Sequence, residues 1–178
     1  MWTLDTAGRP QQLMARFDAQ DSEAAPHSNF WRKCLWSPDG TAAAAIQDDS
    51  DIQIFYVSES LLDAWRADGA NSGEALSKAS EGSELLQFKL RIKQTESLYD
   101  CVWYPRCDWT QPQTACIAAS CRGQPVHLWD ACTGRLRCTY RSYDAADELA
   151  TAYSLAFHPD GEWCAVALFA TGSGWLRY

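Results

Sequence analysis

Histidine and methionine are scarce in this 178-residue chain, at three and two copies, and basic side chains are outnumbered, 15 Lys and Arg against 23 Asp and Glu. The net charge of −8 argues against a general nucleic-acid binder, which carries a basic excess, but leaves room for a local basic face. The eight cysteines include no Cys-x-x-Cys pair; Cys101 with Cys107 and Cys116 with Cys121 have the wrong spacing for zinc, and so few histidines add little. Neither a metal nor a cofactor is expected. Most of the cysteines fall at apolar strand positions, where a free thiol acts as a small hydrophobe, and reduced thiols suit a cytoplasmic or nuclear protein. The chain has no Gly-rich phosphate loop, no Gly-x-Ser-x-Gly and no His-Glu-x-x-His, so enzymatic activity and a small-molecule substrate are not expected. No apolar run is long enough to span a membrane, and Met1 to Pro10 lacks the apolar core of a secretory signal.

What the chain does have is a repeating strand-and-turn pattern. Val126-His127-Leu128-Trp129 alternates as a strand, ends at Asp130 and turns through Thr133-Gly134. Asp130 can accept hydrogen bonds from the turn backbone, and Gly134 supplies a positive φ that a Cβ would resist. A Trp-Asp ending with a Thr-Gly turn marks a propeller blade. A second element recurs: Leu35-Trp36-Ser37-Pro38-Asp39-Gly40 and Ala156-Phe157-His158-Pro159-Asp160-Gly161, with Val102-Trp103-Tyr104-Pro105 as a copy lacking Asp-Gly. In each, an aromatic ends an apolar strand, proline stops the hydrogen-bond ladder, and Asp-Gly, where present, makes the reversal. Small apolar runs follow at Ala42–Ile46, Ala115–Ala119 and Cys164–Leu168, suited to strands buried on both faces.

The expected fold class is all-β, a partial WD-repeat β-propeller with about two complete four-stranded blades plus the start of a third. Blade one covers residues 29–94, with strands at Cys34–Trp36, Ala42–Ile46, Ile52–Val57 and Phe88–Ile92, and a solvated insertion at 68–83. Blade two covers 95–143, with strands at Leu98–Trp103, Cys116–Ser120, Val126–Trp129 and Leu136–Tyr140. Partial blade three covers 152–178, with Ser154–Phe157 and Cys164–Leu168. There Thr171-Gly172-Ser173-Gly174 offers almost no side chain to pack, so the repeat is expected to fail, leaving an unpaired edge near Cys164–Leu168 and a tendency to aggregate. Residues 1–28 form a polar segment, with Leu13, Met14 and Phe17 as a candidate outer closing strand. A closed propeller needs about 4–8 blades of roughly 40 residues, so the sequence reads as an N-terminal fragment or truncated form of a longer one.

Two strands carry alternating cations: Lys89, Arg91 and Lys93 on one, Arg135 and Arg137 on the next, with Arg141 just beyond. Such charge can simply block edge pairing, or it can form a basic face. Tyr143 to Thr151 is an acidic insertion, and Arg141 can pair with Asp147 across it.

Three stretches together resemble the telomerase Cajal body protein family of WD-repeat proteins: Asn29 to Gly40; Leu98-Tyr99-Asp100-Cys101-Val102-Trp103-Tyr104; and Ser120 to Ala131, continuing through Arg137, Tyr140-Arg141-Ser142-Tyr143, Asp147-Glu148 and Ser154 to Phe157. The resemblance covers about residues 29 to 168. It implies a non-enzymatic scaffold of the nucleus and Cajal body that binds small Cajal-body RNAs and telomerase RNA, assembles with ribonucleoprotein core proteins and helps localise the particle. Arg122, Pro125, His127, Trp129, Arg137, Arg141, Tyr143, Asp147 and Glu148 match the family's pattern. Of these, Arg122, Arg141 and Tyr143 are the candidate RNA-binding residues, because a guanidinium or phenol on a loop can meet phosphate or stack on a base. Trp36, Pro38, Asp39, Gly40, Trp103, Trp129, Asp130, Gly134, Pro159, Asp160 and Gly161 are expected to be structural. The rival expectation is a generic WD-repeat adaptor that grips a basic protein peptide.

Overall fold

A computed structural model of the chain describes residues 30–57, 86–143, 148–168 and 172–177. The expected closing strand within 1–28 and the insertion at 68–83 lie outside the described residues. Contacts divide the chain into two units, Met1–Pro26 with Val57–Gln87 and His27–Tyr56 with Phe88–Tyr178. Nearly everything described belongs to the second.

The described residues form eleven strands and no helix. The first sheet has the order β1 (Trp31–Trp36), β2 (Ala42–Gln47), β3 (Ile52–Val57) and β4 (Leu86–Ile92). The second has β5 (Leu98–Trp103), β6 (Cys116–Cys121), β7 (Val126–Asp130) and β8 (Leu136–Tyr140). In the third, β10 (Trp163–Leu168) lies between β9 (Ala152–Phe157) and β11 (Gly172–Arg177). Within the described residues every strand expected for the three sheets is present, most of them a residue or more longer than expected.

The period of two explains the packing. On β6, Ile117, Ala119 and Cys121 face a core shared with Ala42, Ala44, Ile46, Ile52 and Ile54 of the first sheet. Cys116 and Ala118 face the opposite way, into a core with Ala152, Leu155, Cys164 and Val166 of the third. The second sheet is therefore sandwiched, and β6 is buried along its whole length. Only small or compact apolar side chains fit between sheets packed on both sides. On β10 the same alternation buries Cys164 and Val166, while Trp163 and Ala167 stay exposed. Among the described residues no sheet covers that second face.

The turns form as their residues dictate. Ser37 N–H donates to Ala42 O at 2.8 Å and Gly40 N–H to Ser37 O at 2.9 Å, with Gly40 at φ +73°. His158 and Gly161 repeat both bonds at 2.8 Å, with Gly161 at φ +79°. The Asp130 carboxylate accepts from the N–H groups of Cys132 and Thr133, both at 2.8 Å. Gly134, at φ +71°, closes that turn by donating to Asp130 O.

The expected failure of the third sheet at Thr171–Gly174 is corrected. β11 begins at Gly172 and pairs with β10 from Leu168↔Gly172 to Trp163↔Arg177. The ladder needs only backbone N–H and C=O, which glycine has; a missing side chain removes packing area and adds entropic cost without abolishing pairing. β10 is thus an interior strand, and the unpaired edge expected at Cys164–Leu168 does not exist.

Candidate nucleic-acid interface

Strand direction sorts the singled-out residues onto two opposite ends of the sheets. At one end lie the β1–β2 turn with Trp36, Pro38, Asp39 and Gly40, the end of β5 with Trp103, the Trp129–Gly134 turn, and the β9–β10 turn with Pro159, Asp160 and Gly161. This end is held by structural contacts. Trp103 Nε1–H donates to Leu35 O at 3.1 Å, Trp109 N–H donates to Asp39 Oδ2 at 3.0 Å, and Tyr56 meets Trp109 edge-on at 4.5 Å. Trp129 packs on the first core, and Asp130 receives Arg137. Trp36, at the end of β1, is 52% exposed.

At the other end lie the starts of β5 and β9, the β6–β7 turn and the end of β8. The register pairs Leu98 with Cys121 and Val126 with Tyr140, so Arg122, which follows Cys121, and Arg141, which follows Tyr140, emerge from the same end of the second sheet. Both are exposed, and among the described residues neither guanidinium has an ion-pair partner. Arg122 is fixed through its backbone, donating to Ser97 O at 2.9 Å. Tyr143, 53% exposed, forms an isolated bridge with Leu149. The alternative pairing of Arg141 with Asp147 falls outside the described residues.

Other family-matched positions are engaged internally. Arg137 Nη2 lies 2.7 Å from Asp130 Oδ2, and the same guanidinium donates to the carbonyls of Pro112 and Gln113. Burial opposes ionisation of Asp130, but the Arg137 hydrogen bond and the Thr133 N–H outweigh it and hold the carboxyl below its usual range. His127 is half-buried with Nδ1 3.1 Å from Thr139 Oγ1, and burial lowers its pKa, so it is neutral near pH 7. The alternating cations are partly spent as well: Lys89 sits 4.9 Å over the Tyr56 ring and Arg91 lies 3.5 Å from Asp51. Of the remaining cations singled out, Lys93, Arg122, Arg135 and Arg141 are exposed, and Arg122 and Arg141 share one end of the second sheet.

One residue that sequence reasoning did not single out ties all three sheets together. Asp100 on β5 accepts from Lys33 Nζ on β1 at 2.6 Å, and from Leu155 N–H at 2.8 Å and Ser154 Oγ at 3.0 Å on β9. Burial alone would raise its pKa; the Lys33 hydrogen bond and the N–H groups of Leu155 and Cys101 win and hold it down. Beside it, Tyr99 and Tyr153 stack at 4.7 Å, and Arg32 Nη1 reaches Leu98 O at 3.4 Å. The Tyr99-Asp100 pair was visible in the family-like run, but nothing in one sequence indicates which neighbour a strand residue meets across a sheet gap. Among the described residues no group of three or more His, Cys, Asp and Glu is arranged to hold a metal.

No family model matches this chain. The β-propeller domain of Myceliophteria thermophila Cps50 (Swd1) superposes with a TM-score of 0.58 over 84% of this chain and 41% of that one, at 12% identity. The fold is accordingly a partial WD-repeat β-propeller. The chain is 37% identical over 134 residues to the Telomerase Cajal body protein 1 homolog of Drosophila melanogaster, covering 75% of this chain and 23% of the relative. It is 32% identical over 161 residues to Telomerase Cajal body protein 1 of Mesocricetus auratus, covering 90% and 27%. It thus spans about a quarter of the length of the curated relatives it matches. Over that segment, this chain is similar to the telomerase Cajal body proteins.

Proposed function

We propose that the chain is part of a non-enzymatic WD-repeat scaffold that binds small Cajal-body RNAs and telomerase RNA and helps bring the ribonucleoprotein to Cajal bodies in the nucleus. The observation that carries this reading is the shared end of the second sheet. Arg122 and Arg141 stand there exposed on a chain whose net charge is −8, while the other matched cation, Arg137, is committed to Asp130. The names of the relatives agree with it. Phosphate contacts from these two guanidiniums supply affinity, and Tyr143 offers a phenol to an unpaired base.

Fluorescence anisotropy with a small Cajal-body RNA tests the reading. The Arg122→Glu/Arg141→Glu variant should bind more weakly and lose about 1.4 from the slope of log K against log salt, at roughly 0.7 per phosphate contact for a single strand. Equal affinity and slope in both proteins would remove the assignment of these residues. No binding by the unaltered chain would remove the function, and a partner protein retained after RNase treatment would favour the peptide-gripping adaptor instead.

A further inference from the structure

We propose that Lys93 is a third backbone-contacting cation of the RNA site, and that the bound strand crosses from the first sheet to the second over the β4–β5 connection. This rests on the RNA-binding reading above and extends it by one residue and a path. Lys93 follows β4 directly, at the end of the first sheet where β1 and β3 begin. Of the alternating cations Lys89, Arg91 and Lys93, the first two are engaged, one over Tyr56 and the other beside Asp51. Lys93 is exposed, and among the described residues it has no ion-pair partner. Burial, and then Asp49, raises the Asp51 carboxyl, and Arg91 opposes this more than Lys93 does. Asp51 is therefore the partner of Arg91, and the Lys93 ammonium is left for another anion.

Two contacts bring the ends of the sheets together. Cys121 Sγ–H donates to Gln94 Oε1 at 3.4 Å, and Arg122 N–H donates to Ser97 O at 2.9 Å. Gln94 follows Lys93 and Arg122 follows Cys121, so the connection from Lys93 to Ser97 runs beside the β6–β7 turn that carries Arg122. Arg141 leaves the same end of the second sheet two strands away from Arg122, about 10 Å at the usual strand spacing. Thr95 and Ser97 are exposed on the connection, where a hydroxyl can meet sugar or phosphate oxygens. Exposed carboxylates border the cations: Glu96 on the connection itself, Asp48 and Asp49 on the β2–β3 turn. The positive potential is thus confined to discrete side chains, as the net charge of −8 requires, and each cation counts as a separate phosphate contact.

The test follows binding of a small Cajal-body RNA to the whole chain by fluorescence anisotropy across a salt series. Lys93→Gln should lose about 0.7 from the slope of log K against log salt, the share of one phosphate contact on a single strand. Its affinity, weaker at low salt, should approach the parent's by roughly 2.5-fold between about 50 and about 200 mM salt. Added to Arg122→Glu/Arg141→Glu, the substitution should bring the total loss of slope to about 2.1. Lys93→Arg should restore the parent's slope. Arg135→Gln removes an exposed cation from the opposite end of the second sheet and should leave the slope unchanged. A urea midpoint of Lys93→Gln matching the parent's excludes loss of fold as the cause. Parent binding with an unchanged slope in Lys93→Gln, or an equal loss in Arg135→Gln, overturns the path and leaves the RNA-binding reading intact. Absence of RNA binding by the parent overturns both.

Discussion

Replacing Asp100 is the sharpest perturbation of this fold, because one carboxylate holds three sheets. In Asp100→Ala the N–H groups of Leu155 and Cys101, both buried, lose their acceptor. Each orphaned donor costs about 1–3 kcal/mol. Lys33 loses its counter-ion, but its side chain is 39% exposed and regains water, so that contact adds only about 1 kcal/mol. Ser154 is exposed and can turn to solvent. The total is about 3–7 kcal/mol, whose lower part is the range found when one member of a buried charged pair is removed. With a urea dependence of about 1–3 kcal/mol per molar, the unfolding midpoint should fall by about 1 M or more, followed through tryptophan emission. Lys33→Met should cost about 1 kcal/mol or less, since the backbone donors keep their acceptor. The pH dependence gives a second handle. The folded pKa of Asp100 is depressed, so its contribution is complete above the unfolded value of about 3.9 and is lost as pH falls through the folded value. The gap between the parent and Asp100→Asn should therefore narrow in acid. An Asp100→Ala midpoint indistinguishable from the parent, or a gap that does not narrow in acid, would refute the tie.

Two other outcomes follow from local geometry. At Gly161 an added Cβ would lie 2.5 Å from the Tyr104 hydroxyl and 2.7 Å from its ring, at φ +79°, so Gly161→Ala should destabilise by about 2 kcal/mol or more in the same urea assay; retention of the parent's midpoint would show that Tyr104 yields freely. Cys34 and Cys138 are exposed, whereas Cys107 and Cys121 are buried, with burial raising their thiols to about 12 and about 11. A thiol reagent at pH 8 should therefore label Cys138 and, more slowly because burial also raises its pKa, Cys34, and reach the buried cysteines only after unfolding; early labelling of Cys121, read by peptide mass, would contradict the burial.

The sequence by itself determined the strand pattern, because that pattern is written in short-range terms. Alternation at Val126–Trp129, the small apolar run at Ala115–Ala119 and the Asp-Gly reversals each state their own local geometry, and the structure follows them at Ile52–Val57, Leu98–Trp103 and Leu136–Tyr140 without a shift. Gly172 and Gly174 misled for the converse reason: side-chain content predicts packing, whereas strand pairing at β11 is made by backbone groups that every residue but proline supplies. Only the tertiary structure decided which cations are committed. Arg137 and Arg122 look alike in sequence, yet one is clamped by Asp130 and the other stands exposed. It also decided that Asp100 reaches Lys33 and Ser154, residues 67 and 54 positions away. Those partners meet across the gaps between sheets, where the neighbour of each side chain is set by how the blades pack and by no period along the chain.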